Sequence, residues 1–196
     1  MAELPSYDRR ALLARLVILA GASTVALDGT AMAESATDPG PPLDQATFAL
    51  LSAVADTIIP ATDTAGAVEA KVPAGFAALL ADWASASRRH ELIDALHEID
   101  SSASSEAGTP FAQLPPDQRT AFLAEYDARA LSPVSGSSPP VPANPAYALL
   151  KDLLVTLFYL SQAALTTELE YVHAPGPWQP SIPVTSTTRQ VGGGLF

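Results

Sequence analysis

Apolar residues recur at three- and four-residue intervals through most of the chain, and no segment alternates convincingly with period two, so the pattern predicts helices and no sheet. The first stripe, Phe48, Leu51, Val54, Ala55 and Ile58, predicts a helix over 43–59 that Asp44 caps and Pro60 stops. A loop over 60–72 follows, with Asp63 and Gly66 as its turn residues. Pro73 fits the first turn of a second helix, whose stripe of Phe76, Leu79, Leu80 and Trp83 runs to about 85. A charged helix is expected over 87–101 with Leu92, Ile93, Leu96 and Ile99 inward, ended or frayed by the small polar tract 101–108. Pro115 and Pro116 open the next, with Phe122, Leu123 and Tyr126 inward as far as Ala130. The stretch 131–145 holds five prolines and four serines, too many breakers for regular structure.

A long helix over 146–172, apolar nearly all round, is expected to be the central core element. Its fifteen uncharged residues between Asp152 and Glu168 are fewer than the ~20 a membrane span needs. From His173 onward, Pro175, Gly176, Pro177, Pro180 and Pro183 forbid helix and inner strand, so the tail should lie extended. The expected fold is all-α: a small irregular bundle of about five helices with long Pro-rich loops and an extended C-terminal tail.

The N-terminus is organised differently. Arg9 and Arg10 precede a modest apolar run, Leu16 to Ala20, and then Ala31-Met32-Ala33, a small-x-small cleavage site. The pattern is that of a twin-arginine leader over 1–33, cut after Ala33 and followed by a Pro/Gly-rich linker over 34–42 and a single domain over 43–196. Twelve uncharged residues between Arg15 and Asp28 make it too short for an anchor. Such a route serves proteins exported already folded, usually around a cofactor. The expected location is therefore periplasmic.

Composition changes the picture in two ways. The formal net charge of −11 disfavours nucleic acid and anionic lipid, both of which require Lys and Arg. At 48% hydrophobic and only 16% charged, the chain carries less charge than the ~25% of an ordinary soluble domain, which implies a partly covered surface. There is no cysteine for disulfide, haem c or iron–sulfur ligation, and no Gly-x-Gly-x-x-Gly loop. A leader of this type on a chain without a cofactor motif places the cofactor in a partner.

Candidate chemistry is sparse. His90, Asp94 and His97 share one helical face, but the neighbouring Arg88, Arg89, Glu91 and Glu98 make it a solvated charged face rather than a metal site. No Gly-x-Ser-x-Gly elbow is present, and the glycines at 192–194 neither follow a strand nor open a helix. No catalytic, cofactor-binding or metal-ligating residue is assigned. Asp56 at the helix end and the turn from Asp63 to Gly66 serve either to stop one helix and aim the next or to meet a partner. Lys151, beside Asp152, is read equally as a paired structural charge or an interface contact. Trp178 has nothing local to pack on, so it docks on the body or on a partner, the partner being preferred.

Two segments carry a family resemblance. The run 52–67 (Ser-Ala-Val-Ala-Asp-Thr-Ile-Ile-Pro-Ala-Thr-Asp-Thr-Ala-Gly-Ala) with Val72-Pro73 resembles the leading signature of the gluconate 2-dehydrogenase subunit 3 family. The run 147–152 (Tyr-Ala-Leu-Leu-Lys-Asp), with Leu157-Phe158-Tyr159, Tyr171 and Pro175-Gly176, resembles its closing segment. The resemblance implies the small subunit of a membrane-associated periplasmic sugar, sugar-acid or polyol dehydrogenase. It implies a large FAD-bearing subunit of the glucose-methanol-choline (GMC) type, often with a multihaem cytochrome c. The small subunit would carry the twin-arginine signal for the translocase and stay bound, through candidate contacts at Asp56, Ile59, Pro60, Lys151, Tyr171, Pro175 and Trp178. The alternative is an exported helical protein that binds a small apolar ligand alone.

Overall fold

Helices start in this chain where a short polar side chain or a proline can satisfy or remove the first backbone donors. In the computed structural model, which describes residues 40–134, 140–171, 181, 183–185 and 188–192, Asp44 opens α1 (Gln45–Ile58). Its Oδ1 accepts from the backbone N–H groups of Ala46 and Thr47 at 2.9 and 3.0 Å. Pro73 sits in the first turn of α2 (Val72–Asp82), and the Ser85 hydroxyl accepts from the Arg88 N–H to start α3 (Ala86–Ala107). A 3₁₀ turn at Phe111–Gln113 leads to α4 (Pro116–Ala130). Asn144 caps α5 (Pro145–Tyr159) by accepting from the Tyr147 N–H at 3.0 Å, and Ser161 caps the short α6 (Gln162–Thr167).

The helices form a small bundle around one core, and the all-α expectation holds. α5 supplies the stripe Tyr147, Leu150, Leu154 and Phe158, packed against α2, α3 and α4. α1 contributes Leu50, Leu51 and Val54, α2 Phe76 and Leu80, and α3 Leu92, Leu96 and Ile99. An aromatic ladder knits the far side. Phe111 meets Phe122 at 5.9 Å, Phe122 meets Tyr126 at 6.2 Å, and Tyr126 packs against Tyr147 at 5.0 Å near the perpendicular.

Four expectations change. The long helix over 146–172 does not form as one rod: α5 ends at Tyr159, α6 ends at Thr167, and Leu169–Tyr171 is a strand, β1. Ser161 adopts an extended ψ of 151° and caps the new helix, while the Thr166 and Thr167 hydroxyls bond the carbonyls of Gln162 and Ala163. A polar cluster therefore breaks a run that apolar content alone would continue. A short sheet forms where the pattern predicted none: the described end of the tail, Gln190–Gly192, is extended as expected but pairs in parallel with β1 as β2, Leu169 opposite Gln190 and Tyr171 opposite Gly192.

α3 runs on through the serine-rich tract to Ala107, because Ala103 is fully buried there, and Gly108 at φ 70° then ends it. Phe48, expected inward, is 38% exposed. The start at Asp44 turns Thr47 inward instead, where its hydroxyl lies 3.3 Å from His97 Nε2. Among the described residues, no helix is long and apolar enough to cross a membrane.

Candidate partner interface

The leading signature builds a rigid loop. α1 ends at Ile58, and the chain folds back so that the Ala67 N–H donates to the Ile59 carbonyl at 2.9 Å and the Val72 N–H to that of Ala67 at 2.9 Å. Gly66 lies so close under the turn that a β-carbon there would stand 2.5 Å from the Ala61 nitrogen. Lys71, just before α2, holds φ at 60°, an uncommon conformation for a residue with a β-carbon. Pro60 is exposed, Ile59 half-buried, and Val68 exposes 47% of its surface on the same loop.

Asp56, half-exposed one turn before Pro60, faces Arg119 of α4. Its Oδ2 is 3.9 Å from Arg119 Nη2, outside hydrogen-bond range, and the enclosed Arg119 Nε has no acceptor. Sequence reasoning missed Arg119. It sits 63 positions from Asp56, and no local spacing announces the pair.

Lys151 is placed differently from Asp152. Its ammonium bonds Asp127 Oδ1 at 2.5 Å, and the Tyr147 hydroxyl donates to the same oxygen at 2.9 Å. Asp152 is exposed. The closing signature thus ties α5 to α4 through two residues one helical turn apart. Burial, reinforced by the acceptor Asp127, pushes the Tyr147 phenol well above its ordinary value. Tyr126 is pushed up to about 12, first by burial and then by the Glu98 carboxylate. Asp127, the shared acceptor, carried no sequence signal, since both partners lie 20 or more positions away.

A shallow groove of about 570 Å³ opens beside this network between α3, α4 and the entry to α5, lined by Glu98, Ser102, Glu106, Tyr126, Arg129, Ala130, Ala143, Asn144 and Pro145. Its carboxylates are already engaged, Glu98 with Asn144 at 2.9 Å and Glu106 with Arg129 at 2.8 Å. Its polar lining differs from the apolar cavities that hold small ligands. His90 and Asp94 are 3.7 Å apart on open surface, while His97 faces Thr47. Among the described residues no three such groups converge as metal ligands.

The remaining candidates divide by what the structure describes. Tyr171 lies in β1, its backbone paired with Gly192. Arg9, Arg10, Ala31, Ala33, Pro175 and Trp178 lie outside the described residues. Asp56 faces Arg119, Ile59 packs partly against the core and Pro60 is exposed at the end of α1, whereas Lys151 is bound into the α4–α5 network.

No curated protein and no solved structure matches the chain. A family model does, the one described as gluconate 2-dehydrogenase subunit 3, over residues 45–176. That span runs from the first residue of α1 past β1 and takes in both signature segments together with the elements that join them, so the chain belongs to the gluconate 2-dehydrogenase subunit 3 family.

Proposed function

We propose that this protein is the non-catalytic small subunit of a periplasmic, membrane-associated flavin dehydrogenase acting on a sugar, sugar acid or polyol. The observation that carries the reading is the family match across the whole helical body, because the family's name makes its members subunits of a multisubunit dehydrogenase. In this reading FAD and the substrate reside in a GMC-type large subunit, and a multihaem cytochrome c, in complexes that have one, passes electrons on. The small subunit brings the folded flavoprotein to the twin-arginine translocase through Arg9 and Arg10, is cut after Ala33 and remains attached.

Three features support it. The leader is of the kind used for cofactor-loaded cargo, although the chain has no cysteine and no dinucleotide loop. The loop at 59–72 is braced by its own backbone, as a preformed contact surface would be. The charged groups of the described groove are engaged within the protein, Glu106 by Arg129 and Glu98 by the Asn144 amide.

The test is export of the partner. Replacing Arg9 and Arg10 by Lys keeps the charge and removes the guanidinium forks. Dehydrogenase activity and flavin should then stay in the cytoplasm with the uncut precursor. Normal periplasmic activity in the double variant refutes the escort role. The purified chain alone should show no flavin absorbance and no dye-linked oxidation of gluconate or glucose.

A further inference from the structure

The described cations that face a carboxylate fall into two kinds. Arg88 meets Glu91 at 2.7 Å, Arg129 meets Glu106 at 2.8 Å and Lys151 meets Asp127 at 2.5 Å, with side-chain exposures of 43, 56 and 32%. Arg119 is the reverse. Only 16% of its side chain is exposed, its nearest carboxylate oxygen is 3.9 Å away, and its Nε is enclosed without an acceptor. Among these four, the most enclosed cation is the least satisfied. Enclosing a charged donor without acceptors is costly, so an unfilled site of this kind calls for something to complete it.

We propose that Arg119 is the docking anchor for a carboxylate of the dehydrogenase's catalytic subunit, with Asp56 closing the other edge of the guanidinium when the complex forms; the proposal rests on the small-subunit reading above. A guanidinium offers two bidentate edges, one through Nε and Nη2 and one through both Nη atoms. Asp56 already stands beside Nη2, and a shift of about 1 Å would bring it into hydrogen-bond range. The terminal edge remains for a second carboxylate. The setting favours that chemistry: in a chain of net charge −11, an enclosed cation with no close internal partner attracts a partner's acid, which the acidic surface elsewhere repels. Pro60 is exposed one turn beyond Asp56, while Ile59 packs partly against the core. Arginine in such a desolvated position is a frequent centre of binding energy.

Two other places in the molecule carry less. The exposed Tyr159, Leu160 and Leu165 show nothing of what covers them. The groove at Glu98 and Glu106 is already internally paired.

The experiment uses the full chain co-expressed with its flavin-bearing subunit, comparing wild type, Arg119→Lys, Arg119→Met and Asp56→Asn. The readings are the dissociation constant of the complex and the Tm of the uncomplexed chain. Arg119→Lys keeps the charge but loses the planar fork, and should weaken association by about tenfold or more with little change in Tm. Arg119→Met removes an enclosed unpaired charge, and should hold or raise Tm while weakening association at least as much. Asp56→Asn should weaken association less, by about threefold. If the Arg119 variants and Asp56→Asn all lower Tm together and leave the dissociation constant within about twofold of wild type, the pair is an internal brace and the anchor is refuted. If wild type forms no complex with the flavoprotein, it is the small-subunit reading itself that fails.

Discussion

Gly66 closes the signature loop by what it lacks. A methyl group there would stand 2.5 Å from the Ala61 nitrogen and 2.8 Å from the Pro60 carbonyl carbon, and both are backbone atoms that cannot swing aside. Gly66→Ala should therefore cost about 2 kcal/mol, the usual range for forcing a group into filled space, and denaturant unfolding would read it. A cost near zero would mean that the loop is loose rather than braced. The Tyr147 hydroxyl is the other instructive group. With Tyr126 it is held protonated above the ordinary phenol value of 10.0, so the unfolded chain ionises first as pH rises. Their contribution to stability is complete below pH 10.0 and declines above it, continuing through about 12 for Tyr126. Tyr147→Phe should remove its share of that alkaline loss and, by orphaning one bond to Asp127, cost about 1 kcal/mol at neutral pH. Paired alkaline melts of wild type and variant check both signs.

Helix ends decide how the elements are read. α3 continues to Ala107 because Ala103 fits the core, and Gly108 stops it by taking φ to 70°. Gly108→Ala should cost about 1 kcal/mol through backbone strain alone, since open space surrounds the position; thermal melts would show it. The element pattern was largely legible in the sequence. Asp44, the prolines at 73 and 116 and the apolar stripes located α1, α2 and α4, and Asp63 and Gly66 marked the loop between the first two. What was not legible depended on partners distant in sequence or on polar groups within an apolar run. Ser161 and the two threonines split the last helix although Leu157, Leu160 and Leu165 argued for continuity. Lys151 could be read as structural or interfacial until Asp127 was seen beside it, and Arg119 gained meaning only when α4 brought it to Asp56.

At the scale of the molecule, the described core can be tested apart from the tail. Among the described residues, every buried core residue lies between Thr47 and Ala164, so truncation after Val172 removes none of these. It does remove β2, the partner of β1, but a parallel pair three residues long adds little to a helical core. The truncated chain should keep its helical circular dichroism and lose less than about 1 kcal/mol of stability. Association should fare worse on the small-subunit reading, because the cut takes away Pro175 and Trp178, and aromatic side chains are frequent centres of binding energy. Truncation should weaken the complex with the flavoprotein by about tenfold or more, and Trp178→Ala alone should account for on the order of 2 kcal/mol of it. Comparing the melting temperature and the dissociation constant of both variants separates two architectures. A chain that melts far earlier yet binds its partner as tightly as before would make the tail an internal clamp, leaving the site at Asp56 and Arg119 to hold the complex without it.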